Sequence, residues 1–216
     1  MNLLFKKKDT TMKTIFLLLL ILIALNIQLT NAQPTSKYHA KLVALDNVYE
    51  GDVDLNLYGQ NPSLVKMEWT EISPDSTKKT IHRVQYDMEA VLSFIIDKDT
   101  FYVKNLVDDE EKVRPYYLVR KVYGNDIVAL YQYTSKEGVK RIYIGLPRRD
   151  PYYVQHPFFT DGTNMYTAFV YFKDCDALYQ KMKAEQDGYW FKKGATDEQC
   201  VSIWKRIIDE YMNCKK

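Results

Sequence analysis

The sequence is poor in glycine, proline, histidine and cysteine, and the first three shortages each remove a class of protein. Eight glycines and seven prolines, with no self-similarity at periods of about 20–50 residues, exclude a disordered chain or a repeat array. The only histidines are His39, His82 and His156. No two are close in sequence, so there is no His-Glu-x-x-His or similar compact metal-ligand spacing, and each reads as an ordinary surface or hydrogen-bonded residue. No Gly-x-Ser-x-Gly nucleophile elbow and no glycine-rich phosphate cradle occurs. Nothing calls for a cofactor. A membrane-spanning run is missing too: the apolar stretch 15–25 has eleven residues, whereas a bilayer span takes about 20.

That stretch has another meaning. Lys6, Lys7, Lys8 and Lys13 precede it, Asn26 and Gln28 end its apolar character, and Asn31-Ala32-Gln33 offers a cut after Ala32. A basic patch, a short apolar core and small residues at a cleavage site make a secretory signal peptide. No cysteine lies near the cut to carry a lipid. The expected mature chain is therefore exported, periplasmic or extracellular, with no stable membrane span. Removing residues 1–32 takes four lysines and Asp9, turning 30 basic and 28 acidic residues into 26 and 27, a formal charge of −1. Nucleic-acid binders gather an excess of Lys and Arg on one face; this balance argues against a nucleic-acid partner.

Residues 33–37 form a polar leader, and 38–216 read as one α+β domain, β-rich over 38–156 and helical over 160–214. In "GDVDLNLY" Val53, Leu55 and Leu57 alternate with Asp52, Asp54 and Asn56, the period of a half-buried strand. Tyr38 to Leu45 pairs with it across a turn near Asp46-Asn47. "LVKMEW" repeats the alternation, Ser73-Pro74-Asp75-Ser76 is a loop, and Ile81 to Asp87 is a strand of poor periodicity. Further along, Asp97-Lys98-Asp99, Gly124-Asn125 and Lys136-Glu137-Gly138 separate apolar runs, as hairpin turns do. The expected fold is an antiparallel β-meander sheet with two or three C-terminal helices packed on it.

The helices carry the cysteines. Asp174 is the expected N-cap of a helix with the stripe Cys175, Leu178, Tyr179 and Met182. Thr196-Asp197-Glu198-Gln199 is a capping box, and Cys200, Ile203, Trp204, Ile207, Ile208 and Tyr211 follow at helical spacing. Cys200 and Cys214 are fourteen residues apart on that helix, so their backbones lie about 21 Å apart. A disulfide needs Cα atoms within about 7 Å, so these two cannot pair. If the helices run antiparallel, as short connections favour, the start of the first meets the end of the second. The geometry then favours Cys175–Cys214, a bond that persists in an oxidising compartment, and leaves Cys200 buried and inert. The alternative is three reduced cysteines acting as small buried hydrophobes.

The leader ending in Asn31-Ala32-Gln33, the β-rich middle, "YFKDCDALYQKM" and the terminal "IIDEYMNCK" together resemble small exported proteins of Bacteroidota that often carry an Asp-Cys before a C-terminal helix pair and a closing Asn-x-Cys or Asn-Cys. The shared motifs are structural, so the resemblance implies no catalytic residue. It tips the ambiguous segment 165–172 towards helix, although its tyrosines and phenylalanines also suit a strand.

Acidic groups are numerous, yet neither Asp46, Glu50, Asp52 and Asp54 nor the run Asp108–Glu111 matches a calcium loop. Aromatics are the sharper signal. Tyr116 and Tyr117 in the meander, and Arg148, Arg149, Tyr152 and Tyr153 in the proline-bounded "PRRDPYYVQHPF", combine rings with polar tips and a composition common at interfaces. They form a candidate contact surface for a protein or glycan partner. The expected function is non-catalytic binding or scaffolding; the alternative is an acid-based hydrolase of envelope or extracellular glycans, which requires two titratable groups converging in one pocket.

Overall fold

Alternation of apolar and polar side chains decides where the strands run. In a computed structural model, which describes residues 35–72, 79–107, 112–155, 168–191 and 194–215, Val53 and Leu55 are buried while Asp52 and Asp54 face solvent. The expected signal peptide, the loop 73–76, the acidic run 108–111 and His156 lie outside the described residues. All those described belong to one compact unit, Thr35–Lys216. No described helix is long and apolar enough to cross a membrane.

The fold is α+β. Its strands are β1 (Ser36–Ala44), β2 (Val48–Leu55), β3 (Leu64–Ile72), β4 (Lys79–Asp87), β5 (Val91–Ile96), β6 (Asp99–Val107), β7 (Val113–Gly124), β8 (Ala129–Thr134), β9 (Lys140–Gly145) and β10 (Tyr153–Gln155). Their order in the sheet is β10-β9-β8-β7-β6-β5-β1-β2-β3-β4. Two antiparallel meanders, β1–β4 and β5–β10, are thus joined where β5 pairs with β1. The expected turns are in place: Val43 pairs with Val48, Ile96 with Asp99, and Thr134 with Lys140. At the β7–β8 turn Gly124 has φ +93° and sits so close to the Val128 carbonyl that a side chain would collide with it.

One pairing departs from the meander. β10 runs parallel to β6, Tyr153 opposite Asn105 and Gln155 opposite Val107, while Gln155 also meets Ile144 of β9. Strands β6 to β10 therefore close into a ring, and Leu106, Val119, Ala129, Tyr131, Tyr143 and Val154 fill it. A second core lies among β1–β6, around Leu42, Met67, Met88 and Phe94.

The third core is helical. Helix α1 (Asp176–Lys183) and helix α2 (Asp197–Cys214) bury Leu178, Met182, Trp204, Ile207 and Ile208 against Leu130 and Ile144 of the sheet. The Thr196 hydroxyl accepts from Gln199 N–H at 3.3 Å, and the Gln199 side chain accepts from Thr196 N–H at 2.9 Å. This is the capping box read from the sequence. The described part of the ambiguous segment is a 3-10 turn, Phe169–Phe172, with Phe172 wholly buried.

Asp174 is not the N-cap of α1. That position belongs to Cys175, without a side-chain cap bond, because Asp174 is drawn elsewhere. Its carboxylate accepts from the Tyr211 hydroxyl at 3.0 Å, pairs with Lys215 at 2.6 Å and meets Arg148 at 3.3 Å. Burial opposes ionisation of Asp174, yet Lys215, Tyr211 and Arg148 together hold its carboxyl below the ordinary aspartate value. The hub flanks a disulfide, Cys175–Cys214, with Cα atoms 6.0 Å apart. Cys200 is free and buried, and burial pushes its thiol up. The bridge closes a loop of 39 residues, worth about 4 kcal/mol of chain entropy. Reduction, or Cys214→Ser, is expected to lower the thermal midpoint by roughly 10 °C and to raise amide exchange in α2. An unchanged melt would show that the bridge contributes nothing to stability.

Candidate functional site

A cavity of about 290 Å³ opens beside β6, lined by Met88, Glu89, Val103, Asn105, Tyr116, Asp150, Tyr152 and Tyr153. Its position follows from the pairings of one strand edge. β5 occupies that edge of β6 along residues 99–102, and β10 takes it over from Asn105 to Val107. Between them the edge forks. Buried Met88 and Val103 give the cavity its apolar lining, the tyrosines are half-buried, and Glu89 and Asp150 are exposed.

The opposite edge of β6 shapes the same place. The β6–β7 register steps from Lys104↔Tyr117 to Leu106↔Arg114, so β7 carries one extra residue. Pro115 sits in that step; it has no N–H for the ladder, which confines proline in sheets to edges and bulges. Tyr116 beside it adopts φ +60°, a left-handed backbone that a bulky residue rarely takes. Three groups hold it there. Its N–H donates to Asn105 Oδ1 at 3.1 Å, its carbonyl accepts from Asn61 N–H at 3.0 Å and Asn61 Nδ2 at 3.2 Å, and its hydroxyl donates to Glu89 Oε1 at 3.2 Å. Asn61 is itself buried, its side chain tied to Asn56 N–H at 2.8 Å and Asn56 O at 2.9 Å.

The far wall comes from the segment before β10. Asn105 N–H donates to Tyr152 O at 2.6 Å and Tyr153 N–H to Asp150 O at 3.0 Å, while Tyr152 N–H donates to Asp150 Oδ1 at 2.9 Å. Burial, with Glu89 beside it, raises the Tyr116 hydroxyl above its ordinary value; burial, with Asp150 and Glu89 nearby, does the same for Tyr152. Both phenols therefore stay neutral and able to donate well above pH 7.

Of the six contact residues expected from sequence, Tyr116, Tyr152 and Tyr153 meet in this cavity. The other three do not. Tyr117 points into the ring and packs edge-on against Tyr133, centroids 5.2 Å apart. Arg148 is committed to Asp174, and Arg149 is half-buried outside the cavity lining. Glu89, Asn105 and Asn61 were not anticipated; Pro115, inside an apolar run, was the local sign of the bulge that gathers them. Other concavities are less selective. A cavity of about 560 Å³ between β9 and α2 mixes Lys140, Arg141 and Lys205 with Asp197 and Glu198, with no ring among the described residues that line it. Another of about 390 Å³ contains Tyr38, Tyr58 and Phe101, but its Arg120 is already paired with Asp99. Among the described residues no three His, Cys, Asp or Glu side chains are placed to hold a metal ion.

No family model matches the chain, and no curated protein or solved structure matches it significantly.

A left-handed non-glycine residue costs about 1–3 kcal/mol, which here is overcome by hydrogen bonds that fix a ring at the cavity wall. Tyr116→Gly is expected to destabilise less than Tyr117→Gly by about that amount, measured by denaturant unfolding. Equal losses would mean that the Tyr116 backbone carries no strain.

Proposed function

We propose that this chain is an exported, non-catalytic binding protein whose forked-edge cavity takes a neutral, hydroxyl-rich ligand, the end or a short stretch of an envelope or extracellular glycan. The observation that carries this reading is the convergence of Tyr116, Tyr152 and Tyr153 with Glu89, Asn105 and Asp150 around one concavity. Tyrosine rings offer apolar faces for stacking and hydroxyl tips for hydrogen bonds. The carboxylates and the amide accept from ligand hydroxyls. Among the described residues no Lys or Arg lines the cavity, so a phosphate or uronate would meet like charge there. The volume is near the lower end of ligand clefts, about 300 Å³, which suits a small group rather than a folded partner. The signal-like N-terminus and the Cys175–Cys214 bridge support export, since disulfides persist in oxidising compartments. The resemblance to exported Bacteroidota proteins points the same way.

A hydrolase is the second reading, favoured by Glu89 and Asp150 lining the same cavity. Against it, both carboxylates are exposed, whereas the general acid of a glycosidase is a carboxyl shielded from water.

Calorimetric titration with cellohexaose, maltohexaose and chitohexaose separates the readings. Binding of at least one, weakened at least about tenfold by Tyr152→Ala with the melt preserved, and no new reducing ends, is the expected result. Absence of binding by all three would overturn the glycan reading. Reducing ends that disappear in Glu89→Gln would establish the enzyme instead.

A further inference from the structure

The ring formed by β6 to β10 encloses a lysine that does not line the cavity. Along β6, Tyr102, Lys104 and Leu106 alternate to the inside. Lys104 is 8 % exposed, and its Nζ donates to the carbonyl of Pro151 at 2.5 Å. Three rings surround the ammonium, with centroids at 5.1 Å for Tyr131, 5.9 Å for Tyr152 and 6.0 Å for Tyr102. A lysine at an inward position of a strand is costly to bury unless its charge is compensated, and here a carbonyl and three ring faces offset part of that cost. Pro151 lies between Asp150 and Tyr152, the two residues that carry the far wall of the cavity.

We propose that Lys104 is a positioning residue for that cavity, a clasp that holds the Asp150–Tyr153 wall in place while its ammonium is charged and slackens when the proton leaves. The charged form has the stronger hydrogen bond to a carbonyl and the attraction to the ring faces; the neutral amine donates only weakly and loses that attraction. The titratable and charged groups around it are Tyr102 on β6, Tyr117, opposite it in register, and Lys121 on β7, Asp126 in the β7–β8 turn, Tyr131 on β8, Tyr143 on β9, and Asp150 and Tyr152 before β10. Lys121 is anchored to Asp126 at 2.6 Å. Burial, and then the repulsion of Lys121, push the Lys104 amine down to about 8, against the pull of Asp126 and Asp150. The charge is therefore present at pH 7 and lost just above it.

The sign of the stability effect separates slackening from unfolding. Between about pH 8 and the ordinary lysine value of 10.5, the unfolded chain binds the proton that native Lys104 has released, so this group makes the fold more stable as pH rises, not less. Loss of the clasp in that window is a local event. Tyr116 and Tyr152 are raised above the ordinary tyrosine value of 10.0 by burial, so they titrate above Lys104.

The clasp rests on the glycan reading only for its binding readout, and the test keeps the two apart. In ligand-free protein with labelled tyrosine rings and labelled lysine ε-carbons, NMR is followed from pH 7 to pH 9.5. The Tyr152 ring signals are expected to move with the midpoint of Lys104. With cellohexaose as probe, affinity is expected to fall about tenfold over the same range, to stay level in Lys104→Arg, and to be weak at both ends in Lys104→Met. Tyrosine signals that follow Lys104 while no oligosaccharide binds would support the clasp and sink the glycan reading. Tyr152 signals that stay still as Lys104 titrates, or a Lys104→Met protein with the wild-type pH profile, would overturn the clasp.

Discussion

One strand edge is asked to serve two partners. The first part of β6 is taken by β5 and the last part by β10, and a hydrogen-bonding edge holds one neighbour at a time. Where the neighbours change, the sheet has to split. The split is the reason a cavity exists between the Met88–Ala90 turn and the segment before β10, both of which would otherwise be drawn flat against β6. The fork delivers Met88 and Glu89 from one tine, Asp150, Tyr152 and Tyr153 from the other, and Val103 and Asn105 from the strand between, while Tyr116 comes from the β7 bulge on the opposite edge of β6.

The tines are held by polar bonds as well as by the buried Met88 and Val154. Asn105 alone fixes both sides, accepting from Tyr116 and donating to Tyr152. The segment before β10 is fastened at three points. Arg148 reaches Asp174, Lys104 reaches Pro151, and the Asn105 amide reaches Tyr152. The first of these runs to the hub beside the disulfide, so the covalent tie between α1 and α2 also steadies one end of the cavity wall. Stability and site are coupled through Asp174, which gives up its expected capping role to receive three donors.

Much of the frame was legible because it is local. The alternation of Val53 and Leu55 with their aspartates, the turn residues Asp97, Gly124 and Gly138, and the Thr196–Gln199 box each declare their structure within a few residues. The disulfide was legible for a different reason: helical rise separates Cys200 from Cys214 too far to bond. The fork was not legible. A parallel pairing of three residues between β6 and β10 leaves no period in either segment, and it brings Tyr153 beside Asn105 across 48 positions. Tyr116 and Tyr117, neighbours on a strand, were expected on opposite faces; which of them meets the cavity was not legible, because it depends on the extra residue at the Pro115 bulge. Asp174 misled because a favourable cap is worth only about 1 kcal/mol, less than a partly buried carboxylate gains from two cations and a hydroxyl.

If the fork creates the binding site, a ligand must touch all of its parts at once. Photo-crosslinking with a diazirine-bearing neutral oligosaccharide, and peptide mapping of the product, tests this most directly. The label is expected on the peptides around Glu89, Tyr116 and Tyr152 together, and to be displaced by the unmodified sugar. Displaceable label confined to the cleft of Tyr38, Tyr58 and Phe101, or to the face between β9 and α2, would contradict it.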